Sequence, residues 1–232
     1  MSNIIKLLAV NPNSSASITG ALRAALEPNT PSGASLDFFN PASGPAGIHD
    51  AATAASSCAA CMSELGSSVF DYEGILVCCF SDHPLISSLR AYVSANKRHT
   101  VVLGIYHAGV AAALLHPGKF GIIATGTGEK TNLILSTAEM LGSRDSTRFV
   151  GPLTTGLGVV ELQEGDRAKV KKGLRDTTSA LVDRGAETIV LGCAGMSGMN
   201  GWVEAEGEAK GVRVTVIDGA KMGIGMLLAL IR

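Results

Sequence analysis

Two short apolar segments that end at a cysteine constrain the fold of this chain more than any other feature of its sequence. Residues 188–196 read TIVLGCAGM, and residues 74–82 read GILVCCFSD. Each pattern predicts a buried β-strand followed by a turn, because a continuous apolar run suits a strand that is covered on both faces. In open α/β sheets ligands bind outside the carboxyl ends of strands, so two such ends facing each other would place Cys79 and Cys193 on either side of a bound molecule. That geometry suits a proton transfer between two bases.

Strand-like and helix-like patterns alternate along the whole chain. A first helix is predicted to begin at Ser14 or Ser15 and to stop at Pro28, which leaves Asn13 at a strand-to-helix turn. The predicted strands are 4–10, 35–39, 74–79, 100–104, 120–124, 149–153, a strand from 188 and 212–217, and the later predicted helices are 48–65, 85–95, 108–115, 132–141, 166–184, 203–209 and 222–231. We therefore expect an α/β protein with two similar doubly wound parallel-sheet lobes and the active site between them.

The two cysteine-ended strands suggest how the chain divides. We predict a first lobe over residues 1–103, which carries Cys79 and is completed by the C-terminal segment 212–232. The second predicted lobe covers residues 104–211 and carries Cys193. No linker or low-complexity segment marks the boundary near Gly104.

The charge and composition of the chain favour small molecules as partners. It has 19 basic and 20 acidic residues and a formal net charge of -1. This balance gives no electrostatic footprint for nucleic acid or for an anionic membrane. Aromatic residues make up only 4% of the chain, which argues against surfaces that stack on nucleic-acid bases. We expect a small-molecule substrate and no nucleic-acid or membrane partner.

The N-terminal segment and the cysteines both indicate a cytoplasmic protein. Residues 1–10 lack the basic region, the long apolar core and the cleavage site of a signal peptide, and no apolar run reaches the roughly 18 residues of a membrane span. The five cysteines match neither a disulfide framework nor a zinc pattern, so a reducing compartment would keep them as thiols. We predict no metal site.

The individual cysteines have different expected roles. Cys79 and Cys193 are each followed by residues that open a turn into a helix, where free backbone N–H groups and the helix dipole can lower a thiol pKa. The same N–H groups could hold a developing oxyanion. Cys78 should point to the opposite side of the strand and into the core. The Cys58-x-x-Cys61 pair lies inside an Ala-rich predicted helix, and we expect it to be structural.

A glycine-rich segment, ATGTGEKT at 124–131, matches a phosphate-binding loop only in part. The residue after the second glycine of Gly121-x4-Gly126 is Thr127, where such a loop requires lysine. No GxGxxG pattern follows the first strand, so we expect no nucleotide cofactor. The segment can still form a backbone nest for a carboxylate or imide oxygen, with hydroxyl donors from Thr125 and Thr127.

Two histidines are candidates for the same edge of the sheet. His83 and His107 each follow a predicted strand closely enough to reach its carboxyl end. Two interpretations stay open for both: a solvated polar residue at the rim, or a residue of the site.

The chain resembles, nearly end to end, the hydantoin racemase branch of the aspartate/glutamate racemase superfamily. The motif around Cys193 is the most specific part of this resemblance, and its pairing with the motif around Cys79 carries the most weight. The matching motifs are NPNSS at 11–15, GPAGI at 44–48, CFSD at 79–82, GLGV at 156–159 and LGCAGM at 191–196.

This resemblance implies a cofactor-independent enzyme in which two cysteines act on opposite faces of a carbon acid. The thiolate of one removes a proton while the thiol of the other supplies one, so a hydantoin, allantoin or an amino-acid derivative would be racemised. The family also forms homo-oligomers. Carried over by position, the catalytic residues are Cys79 and Cys193, the backbone donors are Phe80, Ser81, Ala194 and Gly195, the residues that hold the ring are Asn13 and Thr125, and Ile48 is a wall.

The chain departs from the bacterial members of the family at two places. It has Asp82-His83-Pro84-Leu85 where they have Asp-Pro-Gly, and Tyr106-His107-Ala108 where they tend to have glutamate. The His-Pro-Leu variant resembles the fungal subgroup. We expect His107 to lie at the edge of the site and to tune substrate choice or thiol pKa without being essential.

Other functions remain open at this level. The superfamily contains decarboxylases and cis-trans isomerases that use the same cysteine positions, so one of these reactions is the first alternative. A catalytically silent binding protein for a ureide or an amino-acid derivative is the second.

Overall fold

The structure is a computed structural model that describes residues 4–126 and 130–231. Within these residues the strands form two four-stranded sheets in which every pairing is parallel, and helices connect successive strands. The predicted α/β class with two parallel sheets is therefore confirmed.

The chain divides into two compact units. One contains the residues up to Ala108 together with those from Ala220 onward, and the other contains Gly109–Gly219. The elements of the first are β1 (Ile5–Val10), α1 (Ala16–Leu26), β2 (Ala34–Phe39), α2 (Ala51–Leu65), β3 (Gly74–Val77), α3 (Pro84–Ala95), β4 (Val101–Gly104) and the start of α4 (Ile105–Leu115). Those of the second are β5 (Lys119–Ala124), α5 (Thr131–Leu141), β6 (Phe149–Thr154), α6 (Glu161–Glu164), α7 (Arg167–Asp183), β7 (Ala186–Gly192), α8 (Asn200–Ala209) and β8 (Thr215–Asp218), and α9 (Gly219–Leu230) ends the chain in the first.

The two sheets have the same strand order. It is β2-β1-β3-β4 in the first unit and β6-β5-β7-β8 in the second, so the first strand of each sheet pairs with the second on one side and the third on the other. Val10 lies beside Val77, and Ala124 lies beside Gly192, at the carboxyl ends of these central pairs. Such a reversal of strand order is where open α/β sheets bind ligands. The two units are therefore similar, and each has its own reversal of strand order.

Apolar strands covered by helices form a separate core in each unit. All four residues of β3 are buried, as expected for a parallel strand that is covered on both faces. The core around β3 includes Leu8, Val10, Cys61, Leu65, Leu85, Leu89 and Val102. The core around β7 includes Ile123, Leu162, Leu174, Leu181, Ile189, Leu191, Met196 and Val203.

The C-terminal segment does not divide as predicted. We expected residues 212–232 to complete the first lobe, but β8 pairs with β7 from Thr188 and Thr215 to Leu191 and Asp218. Only α9 joins the first unit, and the division after Ala108 falls inside α4 rather than at residue 103. The predicted boundaries are therefore wrong here, because a strand follows its hydrogen-bonded neighbour, which periodicity alone does not identify.

The helices in the described residues lack the length or the apolar character of membrane spans. The apolar helix α4 has 11 residues, whereas a span needs about 20. The longest helix, α7, has 17 residues and carries many charges. In the part of the chain that the structure describes, no helix is both long and apolar enough to cross a bilayer.

Gly192, the last residue of β7, provides a test of the central pairing in the second sheet. A Cβ at this position would clash with the backbone carbonyl oxygen of Ile123 on β5. We expect Gly192→Ala to lower the free energy of unfolding by about 2 kcal/mol or more, because paired backbone cannot yield as a flexible side chain can. The measurement is guanidinium unfolding followed by circular dichroism.

The matched control for this substitution is Gly201→Ala in α8. A Cβ at Gly201 would meet no atom within 4 Å. Because alanine favours helix, this change should raise stability by about 0.5 kcal/mol. Equal effects of the two substitutions would contradict the close approach of β5 and β7 at Gly192.

Candidate active site

Cys79 lies just beyond the carboxyl end of β3. The Cys78 amide still donates to Val10 O at 2.8 Å, so the pairing with β1 continues one residue past the strand. The Cys78 side chain is buried, as expected, whereas Cys79 remains partly accessible. The Sγ of Cys79 lies 3.4 Å from the Ser81 hydroxyl oxygen. Cys79 and Ser81 thus meet at the edge of the first sheet.

The pKa of Cys79 does not shift as predicted. Burial raises the pKa of its thiol, and the hydrogen bond with Ser81 offsets this only in part. The prediction of a lowered pKa rested on a helix that starts close to the cysteine. The helix α3 begins only at Pro84, and its N-cap is His83. The prediction is therefore wrong for Cys79.

Two asparagines form the turn after β1. Asn11 is fully buried, and its Nδ2 donates to Asn13 Oδ1 at 3.0 Å and to Thr19 Oγ1 at 3.0 Å. Asn13 Oδ1 also accepts from the Ser15 amide at 3.0 Å. Both contacts use the amide oxygen of Asn13, so its amide orientation is fixed with the Nδ2 group as the remaining donor.

The loop between β2 and α2 packs against this turn. Ser14 donates from its amide to Pro45 O at 3.0 Å and from its hydroxyl to Gly44 O at 3.1 Å. At the start of the same loop, the Glu64 carboxylate accepts from the backbone amides of residues 42 and 43. These anchors hold the loop that carries the half-buried Ile48 beside the turn that carries Asn13.

His83 lies in the interior rather than at a solvated rim. Its side chain is 1% exposed, and its Nδ1 accepts from the Leu85 amide at 3.2 Å, which caps α3. Its Nε2 lies 3.4 Å from Ser57 Oγ, which donates to Pro12 O at 2.5 Å. Burial lowers the pKa of His83 to about 4, although the Asp82 carboxylate acts in the opposite direction. The rim interpretation of His83 is therefore wrong.

His107 lies beside the residues that follow Cys79. It is in the first turn of α4, and its Nε2 is 3.7 Å from Asp82 Oδ1. Its ring packs edge-on against Tyr106, which packs edge-on against Phe80. Burial lowers the pKa of His107, and Asp82 partly offsets this. Among the described residues no hydrogen-bond partner contacts its buried Nδ1.

Cys193 lies directly after β7 in the second unit. Its backbone is extended, and its side chain is 9% exposed. The residues Ala194–Met196 form one turn of 3₁₀ helix, and the Gly195 amide donates to Cys193 Sγ at 3.3 Å. The predicted backbone donor at Gly195 is present, but in this structure it is directed at the thiol.

The motif at 156–159 joins the ends of two strands. The Gly126 amide, just after Thr125, donates to Leu157 O at 2.6 Å. Gln163, in the short helix that follows, donates from Nε2 to Gly195 O at 2.5 Å. The half-buried Thr125 and the Cys193 turn are therefore tied to the same support. The other predicted donor of this loop, Thr127, lies outside the described residues.

Several site-forming residues were missed in the sequence. Asn11 had a usable signal, because it is a polar residue directly after a buried strand. No sequence signal identified Gln163. No signal identified Ser197 and Asp218 either, although Ser197 Oγ donates to the buried Asp218 carboxylate at 2.6 Å. These contacts join residues far apart in sequence.

The Cys58-x-x-Cys61 pair lies within α2. Cys61 is fully buried, and burial raises the pKa of its thiol to about 12. No disulfide joins any of the five cysteines, all of which the structure describes. Over residues 4–126 and 130–231, no cluster of His, Cys, Asp and Glu could hold a metal ion.

The lowered pKa of His83 predicts a loss of stability in mild acid. The ordinary pKa of 6.5 applies to the unfolded chain, and the folded value is about 4. The unfolded state therefore binds the proton first, and stability falls as the pH drops from 6.5 to about 4, by at most roughly 3 kcal/mol. Above this window the group adds no pH dependence.

The measurement compares wild type with His83→Gln in urea unfolding across this window. Wild type should lose more stability between pH 6.5 and about 4 than the variant, because glutamine at position 83 does not take up a proton in this range. Equal losses would contradict a buried neutral imidazole.

Comparison with known proteins shows the family. The family model described as Asp/Glu/Hydantoin racemase matches residues 7–227. An uncharacterized protein of Schizosaccharomyces pombe is 33% identical over 231 residues, covering 99% of this chain and 93% of that protein. A hydantoin racemase of Rhizobium meliloti is 30% identical over 229 residues, covering 96% of this chain and 87% of that enzyme.

Solved structures share the fold. An allantoin racemase from Klebsiella pneumoniae has a TM-score of 0.81 at 22% identity, covering 97% of this chain and 87% of that one. A glutamate racemase from Francisella tularensis has a TM-score of 0.64 at 18% identity, covering 98% of this chain and 81% of that one.

Proposed function

This chain belongs to the Asp/Glu/hydantoin racemase family, and we propose that it racemises hydantoin-like or allantoin-like carbon acids, or amino-acid derivatives, by a two-base reaction of Cys79 and Cys193. One observation carries this proposal. Cys79 lies two residues beyond the third strand of the first sheet, and Cys193 directly follows the third strand of the second, in each case where the strand order reverses. The two thiols therefore lie at corresponding strand ends of two similar units.

The reaction transfers one proton out of the substrate and one into it. The thiolate of one cysteine takes the proton from the carbon next to the carbonyl, and the electron pair moves into an enolate. The thiol of the other cysteine then donates its proton to the opposite face of that carbon. Charge and protons balance without a cofactor, and the two cysteines exchange protonation states. Burial raises the pKa of the Cys79 thiol and so favours its protonated form over the thiolate.

The ring of the substrate needs donors for its carbonyl oxygens. The fixed amide of Asn13 supports a role as one donor, since its oxygen is already engaged. The Thr125 hydroxyl and the backbone amides of Phe80, Ser81, Ala194 and Gly195 are the further candidates. Ile48 supplies an apolar wall, and His107 lies at the edge. The Gly195 amide donates to the Cys193 sulfur in this structure.

The cellular setting follows from the same chemistry. Two reduced thiols are required at once, so we infer a cytoplasmic enzyme, where reducing conditions maintain them. The small-molecule substrate stays a prediction from composition and from the resemblance, and the homo-oligomeric state stays a prediction from the resemblance.

The decisive test replaces each thiol by a hydroxyl. Serine keeps the shape but has a far higher pKa, so Cys79→Ser and Cys193→Ser should each lower racemisation of allantoin or a 5-substituted hydantoin by about 100-fold or more. Each remaining thiolate should still abstract the proton from its own face. In deuterated water, followed by NMR and polarimetry, the two variants should exchange the carbon-bound proton of opposite enantiomers without inverting them.

The outcomes separate the alternative functions. If both folded variants racemise at the wild-type rate, the two-cysteine reaction is wrong. If wild type binds the ring but exchanges no carbon-bound proton in hydantoins, allantoin or amino acids, it is a binding protein or an enzyme of the decarboxylase or isomerase type.

His107 provides a second, independent test. We expect His107→Gln to keep turnover within about tenfold of wild type while altering the pH profile or the ranking of substrates, because the imidazole contacts the Asp82 carboxylate. The measurement is kcat/KM against pH for several hydantoins. Complete inactivation of a folded variant would make His107 an acid or base and contradict the two-cysteine account.

A further inference from the structure

A buried chain of hydrogen bonds crosses the first unit and is not needed for the chemistry of the thiols. It runs from the Leu85 amide to His83 Nδ1 at 3.2 Å, and from His83 Nε2 to Ser57 Oγ over 3.4 Å. It ends where Ser57 Oγ donates to Pro12 O at 2.5 Å. Ser57 is fully buried and His83 is 1% exposed, so water does not replace these bonds.

The direction of every bond in this chain is determined. An amide can only donate, so His83 Nδ1 accepts and carries no proton. A carbonyl can only accept, so Ser57 uses its one hydroxyl hydrogen on Pro12. His83 Nε2 must then carry the proton of the neutral ring and donate it to Ser57. The low pKa of His83 agrees with a neutral ring at physiological pH.

The two ends of the chain lie at the two central strand ends of the sheet. His83 caps α3, shortly after Cys79 at the end of β3. Pro12 lies in the turn after β1, between the buried Asn11 and Asn13. The strands β1 and β3 are direct neighbours. The chain of bonds therefore links the segment with the thiol to the turn with the amide donor.

We propose that His83, acting through Ser57, is a positioning residue that fixes the Pro12 carbonyl and thereby the place of the Asn13 side chain relative to Cys79. This inference rests on the proposed function only in taking Asn13 as a donor to the substrate. A polar chain in the interior is costly unless every member is satisfied, so its three hydrogen bonds hold its four members in one geometry. Helix capping alone would not need the ring to reach Ser57.

Two substitutions of the same residue separate capping from positioning. In His83→Asn the amide oxygen sits near the place of Nδ1 and still caps α3, but the side chain is too short to reach Ser57. In His83→Gln the amide nitrogen sits near the place of Nε2 and can donate to Ser57, while the cap is lost. Ser57→Ala breaks the chain from the other side and leaves His83 intact.

The kinetic arm uses allantoin and 5-benzylhydantoin as probes. We expect His83→Asn and Ser57→Ala to raise KM about tenfold with a smaller change in kcat, and His83→Gln to stay near wild type, because loss of one well-placed donor weakens binding by about this factor. In an Asn13→Asp background, which keeps the oxygen but removes the donor, Ser57→Ala should have no further effect on KM. Additive effects there would overturn the inference.

A second arm needs no activity. In ¹⁵N NMR, wild-type His83 should have its proton on Nε2. Hydrogen exchange at the Ser15 amide, which donates to Asn13 Oδ1, should speed up in His83→Asn and Ser57→Ala but not in His83→Gln. This pattern in a protein that turns over neither probe would support the positioning role and count against the proposed function alone. A proton on Nδ1 would overturn the inference. So would faster exchange in His83→Gln, which loses the cap, without faster exchange in His83→Asn and Ser57→Ala, which break the chain of hydrogen bonds.

Discussion

The pairing of the first and third strands in each sheet is the constraint on which the rest of the structure depends. Parallel strands in register end at the same edge, so Val10 beside Val77 and Ala124 beside Gly192 bring the following turns together. Gly192 is needed because a side chain there would meet the backbone of β5. The proposed catalytic residues follow this edge in both units, Cys193 directly and Cys79 two residues beyond β3.

The two edges are stabilised by different means. In the first unit the buried Asn11 bonds within the turn after β1, and the buried Ser57 and His83 join that turn to the start of α3. In the second unit the Gly195 amide donates to the Cys193 sulfur, and the Gln163 side chain donates to the Gly195 carbonyl. The surroundings of the two thiols therefore differ, although both follow the third strand of their sheets.

Much of the local structure could be predicted from periodicity. Strands and helices lie within a few residues of the expected positions, and Cys78 points into the core because side chains alternate along a strand. Two predictions about Cys79 and His83 were wrong for related reasons. Burial raises the pKa of Cys79 and lowers that of His83, and burial is a property of what packs around a residue.

The sequence by itself determined the α/β class, the elements and the two cysteines that follow buried strands, because these depend on neighbours within a few residues. Only the tertiary structure decided that β8 belongs to the second sheet and that Ser57 joins His83 to Pro12. Each of these depends on a hydrogen bond between residues that the fold brings together from distant parts of the chain. A strand edge or a buried hydroxyl can form a hydrogen bond with any partner of suitable geometry. Local composition therefore does not specify which residue becomes its partner.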